Sequence, residues 1–170
     1  YIDDCLLVGG SVAECRQNVF DTVKISQNAG FYVHPDKSVL EPTQEIIYLG
    51  FWLRSNEMSV QLTQQKAQNL KKGCITLLNE IVTIRFLAKV IGQIVASFPG
   101  VKYGQLFYRN CDNFKADSLK RNKGNFNAKV RVTEHCHDDL KWWVTHIESE
   151  KRFLGYENPV LILQSDASLN

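Results

Sequence analysis

The chain has 170 residues, of which 44% are hydrophobic and 22% are charged, and these proportions are typical of a folded globular protein rather than a disordered one. The net charge of +2 favours no class of partner by itself. Five cysteines without a CxxC pair, no signal peptide and no long apolar run predict a reduced, soluble, intracellular protein, cytoplasmic or nuclear, neither secreted nor bound to a membrane.

Positive charge is concentrated between residues 102 and 131. This stretch holds eight basic and two acidic residues, so it carries +6 and leaves −4 for the rest of the chain. A localised basic segment suits a polyanionic partner, although a solvated helix face explains the same pattern.

The first predicted element is a buried strand over residues 5–8, ended by two glycines. Ser11 and Glu14 then form a capping box that begins a helix, and Gly30 ends that helix. Short β-strands are predicted at 31–33 and 38–40, around Pro35.

A β-hairpin is predicted next, from strands at residues 46–53 and 58–62. The hydrophobic period then becomes helical. Thr63, Thr83 and Thr133 are the predicted N-caps of three helices, and a further basic helix is predicted over 103–119. A last apolar run, 160–163, leads into Asp166.

Asp3 and Asp4 stand side by side where the first apolar segment begins. Two adjacent carboxylates in a tight turn can clamp a pair of Mg²⁺ ions for phosphoryl transfer. A turn with two solvated acids is the alternative.

The motif "YIDD" followed by an apolar segment resembles the YxDD box of reverse transcriptases. Four further stretches resemble parts of these enzymes in the same order: "GFYVHPDKSVL" the next palm motif, "YLGFWL" the primer-grip hairpin, "TIRFLAKVIGQIVASFPGVKYGQL" the thumb helix and turn, and "LILQSDAS" the first strand of ribonuclease H. With "HCHDDLKWW" included, the chain looks most similar to DIRS-like retrotransposons.

This resemblance implies an α+β chain with four parts. They are the C-terminal part of a polymerase palm, built from β-hairpins and a helix (1–62), a helical thumb (63–121), a connection (122–158) and the first strand of an RNase H-like domain (159–170). The resemblance also implies that the third carboxylate of the polymerase site precedes Tyr1, so we expect this fragment alone not to polymerise.

The resemblance gives roles to four charged residues. Asp3 and Asp4 match the metal-binding pair, and Lys37 matches the general acid for the pyrophosphate leaving group. Asp166 matches the first metal ligand of an incomplete ribonuclease H site. A solvent-exposed loop lysine and a strand-end cap are the respective alternatives for Lys37 and Asp166.

The resemblance also assigns the primer grip to Tyr48, Leu49, Gly50, Phe51 and Trp52. Strand alternation predicts that Tyr48, Gly50 and Trp52 share one face, and Gly50 would admit a sugar–phosphate chain. Simple burial of apolar area is the alternative.

Arg85, Lys89 and Gln93 are spaced i, i+4, i+8, so they form one stripe beside the apolar face of the predicted helix. Such a stripe can follow the phosphates of a duplex, and the resemblance implies that this helix tracks the minor groove of the template–primer. The alternative is that these residues are simply the solvent-exposed face of an amphipathic helix.

The segment "HCHDD", residues 135–139, has metal-ligand residue types, but no second Cys/His pair stands at a usable spacing. We interpret it as structural.

The resemblance implies an RNA-directed DNA polymerase, a nucleotidyltransferase, with ribonuclease H downstream in the polyprotein. Its partners would be an RNA/DNA template–primer duplex, deoxynucleoside triphosphates, two Mg²⁺ ions and the remainder of the polyprotein. Two alternatives remain open: a non-catalytic nucleic-acid-binding remnant of a decayed retroelement, and an unrelated α+β interaction protein.

Overall fold

The computed structural model describes residues 4–155, and these residues form an α+β fold. The α-helices of this range are α1 Val12–Asn28, α2 Gln64–Asn79, α3 Ile84–Ser97, α4 Arg109–Arg121 and α5 Glu134–His146. Its strands are β1 Glu45–Tyr48, β2 Phe51–Arg54, β3 Ser59–Leu62, β4 Val82–Thr83, β5 Lys129–Val130 and β6 Arg152–Phe153. No helix in this part of the chain is long and apolar enough to cross a membrane.

The strands form two antiparallel sheets. The larger has the order β1-β2-β3-β6, and β6 joins it by pairing Ser59 with Phe153. The smaller is a two-stranded ribbon of β4 and β5 in which Val82 faces Val130 and Thr83 faces Lys129.

The prediction of one strand over 46–53 is wrong, because a two-residue turn divides it into β1 and β2. Leu49 and Gly50 form this turn with φ values of 50° and 78°, and Tyr48 pairs directly with Phe51. Positive φ at both central residues is the signature of a type I′ turn, whose twist matches that of paired strands. The hairpin is therefore a three-stranded meander.

The predicted limits of α1 are confirmed. Ser11 Oγ accepts a hydrogen bond from the N–H of Glu14 at 3.1 Å, and the Glu14 carboxylate accepts one from the N–H of Gly10 at 2.8 Å. Beyond the helix, Gly30 takes a φ of 86°, which an L-residue rarely adopts. No residue of α1 is buried.

Three predicted strands near α1 are absent. Residues 5–8, 31–33 and 38–40 have no regular secondary structure, and Pro35–Lys37 form a 3₁₀ turn. A strand needs a partner for its backbone groups and a surface that covers its apolar face. Neither is provided within residues 4–155, and the side chain of Val8 is 75% exposed.

The predicted helix starts after Thr63, Thr83 and Thr133 are confirmed. The basic helix α4 begins at Arg109, later than predicted, because Gly104–Leu106 form a 3₁₀ turn. The indole ring of Trp143 packs closely against this turn, because a Cβ on Gly104 would lie 2.7 Å from the Trp143 ring.

One hydrophobic core connects the helices α2 to α5 with strand β3. Leu62, Leu77, Ile94, Cys111 and Trp143 come from these five elements, and all are buried. One core therefore includes residues on both sides of the predicted domain boundaries after residues 62 and 121. The division of the chain into palm, thumb and connection remains a prediction. At the surface, an ion pair joins Lys71 of α2 to Glu148, which follows α5.

Candidate nucleic-acid interface

The N-terminal segment is tied to the hairpin by one hydrogen bond. The Tyr48 hydroxyl donates to the backbone carbonyl of Asp4 at 3.0 Å, and the Asp4 side chain is exposed. The fold thus brings a predicted metal ligand next to a predicted primer-grip residue 44 positions away. Asp3 and Asp166, predicted ligands as well, lie outside the described residues.

Lys37 is exposed at the end of the 3₁₀ turn. Its ammonium group forms no ion pair with any residue between 4 and 155, so it is open to an anionic ligand. No hydrogen bond joins it to Asp4 within this range, and its role as a general acid remains a prediction.

A lysine of α2 covers the turn between β1 and β2. Lys66 Nζ donates to the Leu49 carbonyl at 2.6 Å and lies 5.3 Å from the centre of the Phe51 ring. A Cβ on Gly50 would lie 2.1 Å from Lys66 Cε, so the Lys66 stem occupies the space beside the glycine. The close approach predicted for a sugar–phosphate chain is therefore already made by Lys66, a residue that our sequence reasoning missed.

The two faces of the hairpin differ from the predicted alternation. Tyr48 and Phe51 are paired across the turn, so their side chains share a face, while Trp52 lies on the other. Strand alternation failed here because the turn reverses the chain between Tyr48 and Phe51. On the second face Arg54 lies 5.5 Å from the centre of the Trp52 ring.

The stripe predicted on the thumb helix exists on α3. Arg85 and Lys89 are exposed and Gln93 is half-buried, whereas Leu87 and Ile94 of the same helix are buried. No carboxylate within residues 4–155 pairs with either cation. We call Arg85, Lys89 and Gln93 the α3 stripe.

The N-terminal end of the α3 stripe contacts the loop after α4. The Arg85 guanidinium lies 5.6 Å from the centre of the Phe126 ring, and its Nε donates to Asn127 Oδ1 at 3.5 Å. The backbone N–H of Arg85 also donates to the Phe126 carbonyl at 2.9 Å. Phe126 was not predicted as a site residue, although an aromatic residue within a basic loop is a usable signal.

The segment 135–139 holds α4 in place. Asp139 is buried, and its carboxylate accepts hydrogen bonds from the backbone N–H of Asn110 at 3.1 Å and from the Asn110 side-chain amide at 3.2 Å. Burial raises the pKa of Asp139, while the hydrogen bonds from Asn110 oppose that rise. Its oxygen atoms thus have protein partners, and His135 on the same helix is exposed.

No group of three or more His, Cys, Asp or Glu side chains converges within residues 4–155. The Mg²⁺ site therefore remains a prediction based on Asp3 and Asp4. Three cysteines, Cys74, Cys111 and Cys136, are buried in the core, and burial raises the pKa of Cys74 to about 12. That thiol stays protonated at neutral pH and serves packing rather than chemistry.

Comparisons of the chain with protein-family models, with curated proteins and with solved structures found no match. Two features of the structure therefore bear on function. One is the α3 stripe with its exposed cations, and the other is the hydrogen bond between Tyr48 of the hairpin and the backbone of Asp4.

Proposed function

We propose that this chain is the palm-to-thumb part of a reverse transcriptase from a DIRS-like retrotransposon. The intact enzyme would copy RNA, and then DNA, into DNA from deoxynucleoside triphosphates with two Mg²⁺ ions. The observation that carries the proposal is the α3 stripe, whose two exposed cations have no carboxylate partner in the described part of the chain.

The α3 stripe has the dimensions of a duplex contact. Eight residues of helix separate Arg85 from Gln93, which corresponds to about 12 Å at 1.5 Å per residue. An RNA–DNA duplex has A-form geometry with a wide, shallow minor groove, so side chains along this length can contact its sugars and phosphates. Contacts of this kind position a duplex without reading its sequence, as a copying enzyme requires.

The hairpin supports the same proposal. The Tyr48–Asp4 hydrogen bond connects the predicted primer grip with the predicted metal ligands. A primer end held at the hairpin would therefore lie close to the ions that activate its hydroxyl group. In that arrangement Lys37 would donate a proton to the leaving pyrophosphate or stabilise its charge.

Duplex binding by this chain tests the role of the stripe. We expect the double variant Arg85→Glu/Lys89→Glu to bind a short RNA–DNA duplex at least tenfold more weakly near 0.1 M salt, because it loses two contacts to phosphates. Each lost contact should also make the slope of log K against log salt shallower by about 0.9. Fluorescence anisotropy at several salt concentrations measures both quantities.

The matched control is Lys24→Glu/Lys72→Glu, which changes the net charge equally at exposed positions of α1 and α2. If both double variants lose affinity equally, general electrostatics explains binding and the α3 stripe has no specific role. If the unaltered chain binds no duplex at all, the proposal is wrong.

Catalysis is tested in the intact polyprotein. We expect Asp4→Asn to reduce Mg²⁺-dependent nucleotide incorporation in a primer-extension assay by several orders of magnitude, with duplex binding retained. Binding without incorporation by the unaltered polyprotein would instead favour the decayed, non-catalytic remnant.

A further inference from the structure

We infer that the duplex-binding surface extends beyond the α3 stripe onto the loop after α4, where cations of this loop contact phosphates of the same nucleic acid. We call four residues at and around the loop 122–128 the loop cations: Arg121 ends α4, Lys123 lies in the loop, Lys129 belongs to β5 and Arg131 follows β5. This inference rests on the proposed function, and it distinguishes two groups within the basic segment 102–131.

The loop is fixed to the N-terminal end of α3 through its backbone. The N–H of Ile84 donates to the Ala128 carbonyl at 3.0 Å, and the N–H of Arg85 donates to the Phe126 carbonyl at 2.9 Å. Residue Lys129 then pairs with Thr83, two positions before Arg85. The loop therefore lies at the Arg85 end of the α3 stripe.

The loop cations face solvent. Val130 and Val132 pack toward the core, so the alternating residues Lys129 and Arg131 point outward, and both are exposed. Arg121 and Arg131 line one surface cavity of about 270 Å³ together with Thr133. None of the loop cations forms an ion pair with a carboxylate of residues 4–155.

Three of the other four cations of the basic segment are arranged differently, and the fourth, Lys120, is exposed near the end of α4. Lys102 lies over the ring of Tyr103 and Arg109 over that of Tyr108, while Lys115 pairs with Asp112 at 2.5 Å. Arg109 begins α4 next to Tyr108, whose ring packs 5.2 Å from that of Phe98 at the C-terminal end of α3. The first part of the segment is therefore at the far end of α3 from Arg85.

Phosphate is the chemical group that suits the loop. Exposed guanidinium and ammonium groups without carboxylate partners bind phosphate with release of counterions. The ring of Phe126 holds the Arg85 guanidinium at the end of this surface, which ties the α3 stripe to the loop.

The test compares two double variants that lower the net charge equally. Lys129→Gln/Arg131→Gln removes two loop cations, and Lys102→Gln/Arg109→Gln removes two cations from the first part of the segment. For the loop variant we expect about tenfold weaker binding of the RNA–DNA duplex near 0.1 M salt and a salt slope shallower by about 2. The control should change affinity less than about twofold.

One further variant and a folding check make the outcome unambiguous. Lys129→Arg/Arg131→Lys retains both charges and should restore normal affinity, and circular dichroism verifies that each variant is folded. Equal losses for the loop variant and the control, or no loss for the loop variant, would overturn the inference. If Arg85→Glu/Lys89→Glu weakens binding while the loop variant does not, only this inference fails and the proposed function stands.

Discussion

Leu49 occupies a backbone conformation that usually belongs to asparagine or glycine. Its φ of 50° costs an L-residue with a bulky side chain about 1 kcal/mol. We expect Leu49→Asn to raise the free energy of unfolding by about 0.5–1 kcal/mol, because Asn-Gly is the preferred type I′ pair. Urea denaturation measures the change.

Leu40→Asn is the control for this prediction, since Leu40 also lies outside the helices and strands but lacks a positive φ. An equal gain in both variants would show that removing a leucine from the surface, rather than relieving strain, is responsible. The role of Leu49 in the primer grip remains a prediction.

Asp139 stabilises the start of α4. We expect Asp139→Ala to lower the free energy of unfolding by about 2 kcal/mol, because the N–H and the side-chain amide of Asn110 both lose their acceptor at a partly buried site. Asp138→Ala, at the exposed neighbouring position, should change it by less than about 0.5 kcal/mol. Comparable losses in the two variants would contradict the capping role.

The pKa of Asp139 adds a pH dependence to this prediction. Because burial raises that pKa, the folded protein binds the proton more tightly than the unfolded chain does. The unfolding free energy of the wild type should therefore fall as the pH rises from the unfolded pKa through the folded one, and Asp139→Ala should lack this contribution. Denaturation curves at several acidic pH values test the sign.

At the scale of elements, two helical glycines should respond oppositely to the same substitution. A Cβ on Gly92 of α3 meets no atom within 4 Å, whereas a Cβ on Gly73 of α2 would lie 3.0 Å from Val90 Cγ2. We expect Gly92→Ala to stabilise the fold by about 0.8 kcal/mol through helix propensity. At Gly73 the overpacking of α2 on α3 should cancel or exceed that gain.

Thermal unfolding of the two variants measures the difference. Equal stabilisation by both would show that α2 and α3 have room between them, and that Gly73 is not needed for their close packing.

Helices were predictable from the sequence because their signals are local. The Ser11 cap, the Thr83 cap and the inward residues Leu140 and Trp143 each depend on neighbours within a few positions, and the structure has all four as expected. Strands were less predictable. The apolar run at 5–8 has a strand-like composition but no pairing partner within the described residues.

Long-range contacts could not be predicted from local pattern. Arg85 meets Phe126 and Asn127, some 42 residues away, because the chain returns through α4 and β5. Lys66 similarly reaches Leu49 only because β3 places α2 over the turn. The stripe was predictable from spacing alone, whereas its continuation onto the loop required the tertiary fold.

At the scale of the whole molecule, the N-terminal region contributes no buried residue to the core. Every buried residue of the described chain lies at Ser59 or beyond, and none belongs to α1. We therefore expect a chain of residues 44–155 to unfold cooperatively, with a melting temperature within a few degrees of that of the whole chain. Gln44 is kept because its carbonyl accepts from the N–H of Ser55.

Differential scanning calorimetry of both chains checks this expectation. A chain ending at residue 130, which lacks α5, is the contrasting control and should show no cooperative transition, because Leu140, Trp143 and Ile147 would be missing from the core. Loss of the transition in the 44–155 chain would show that the first helix is required for folding.

The pairing of β3 with β6 has a consequence for biosynthesis. The strand that completes the sheet is made about ninety residues after its partner, which takes roughly 5–20 s at ordinary elongation rates. Within that interval the apolar side of α2 remains uncovered on the ribosome until α5 has been made. A nascent chain of this kind is a natural client for chaperones that bind exposed hydrophobic segments.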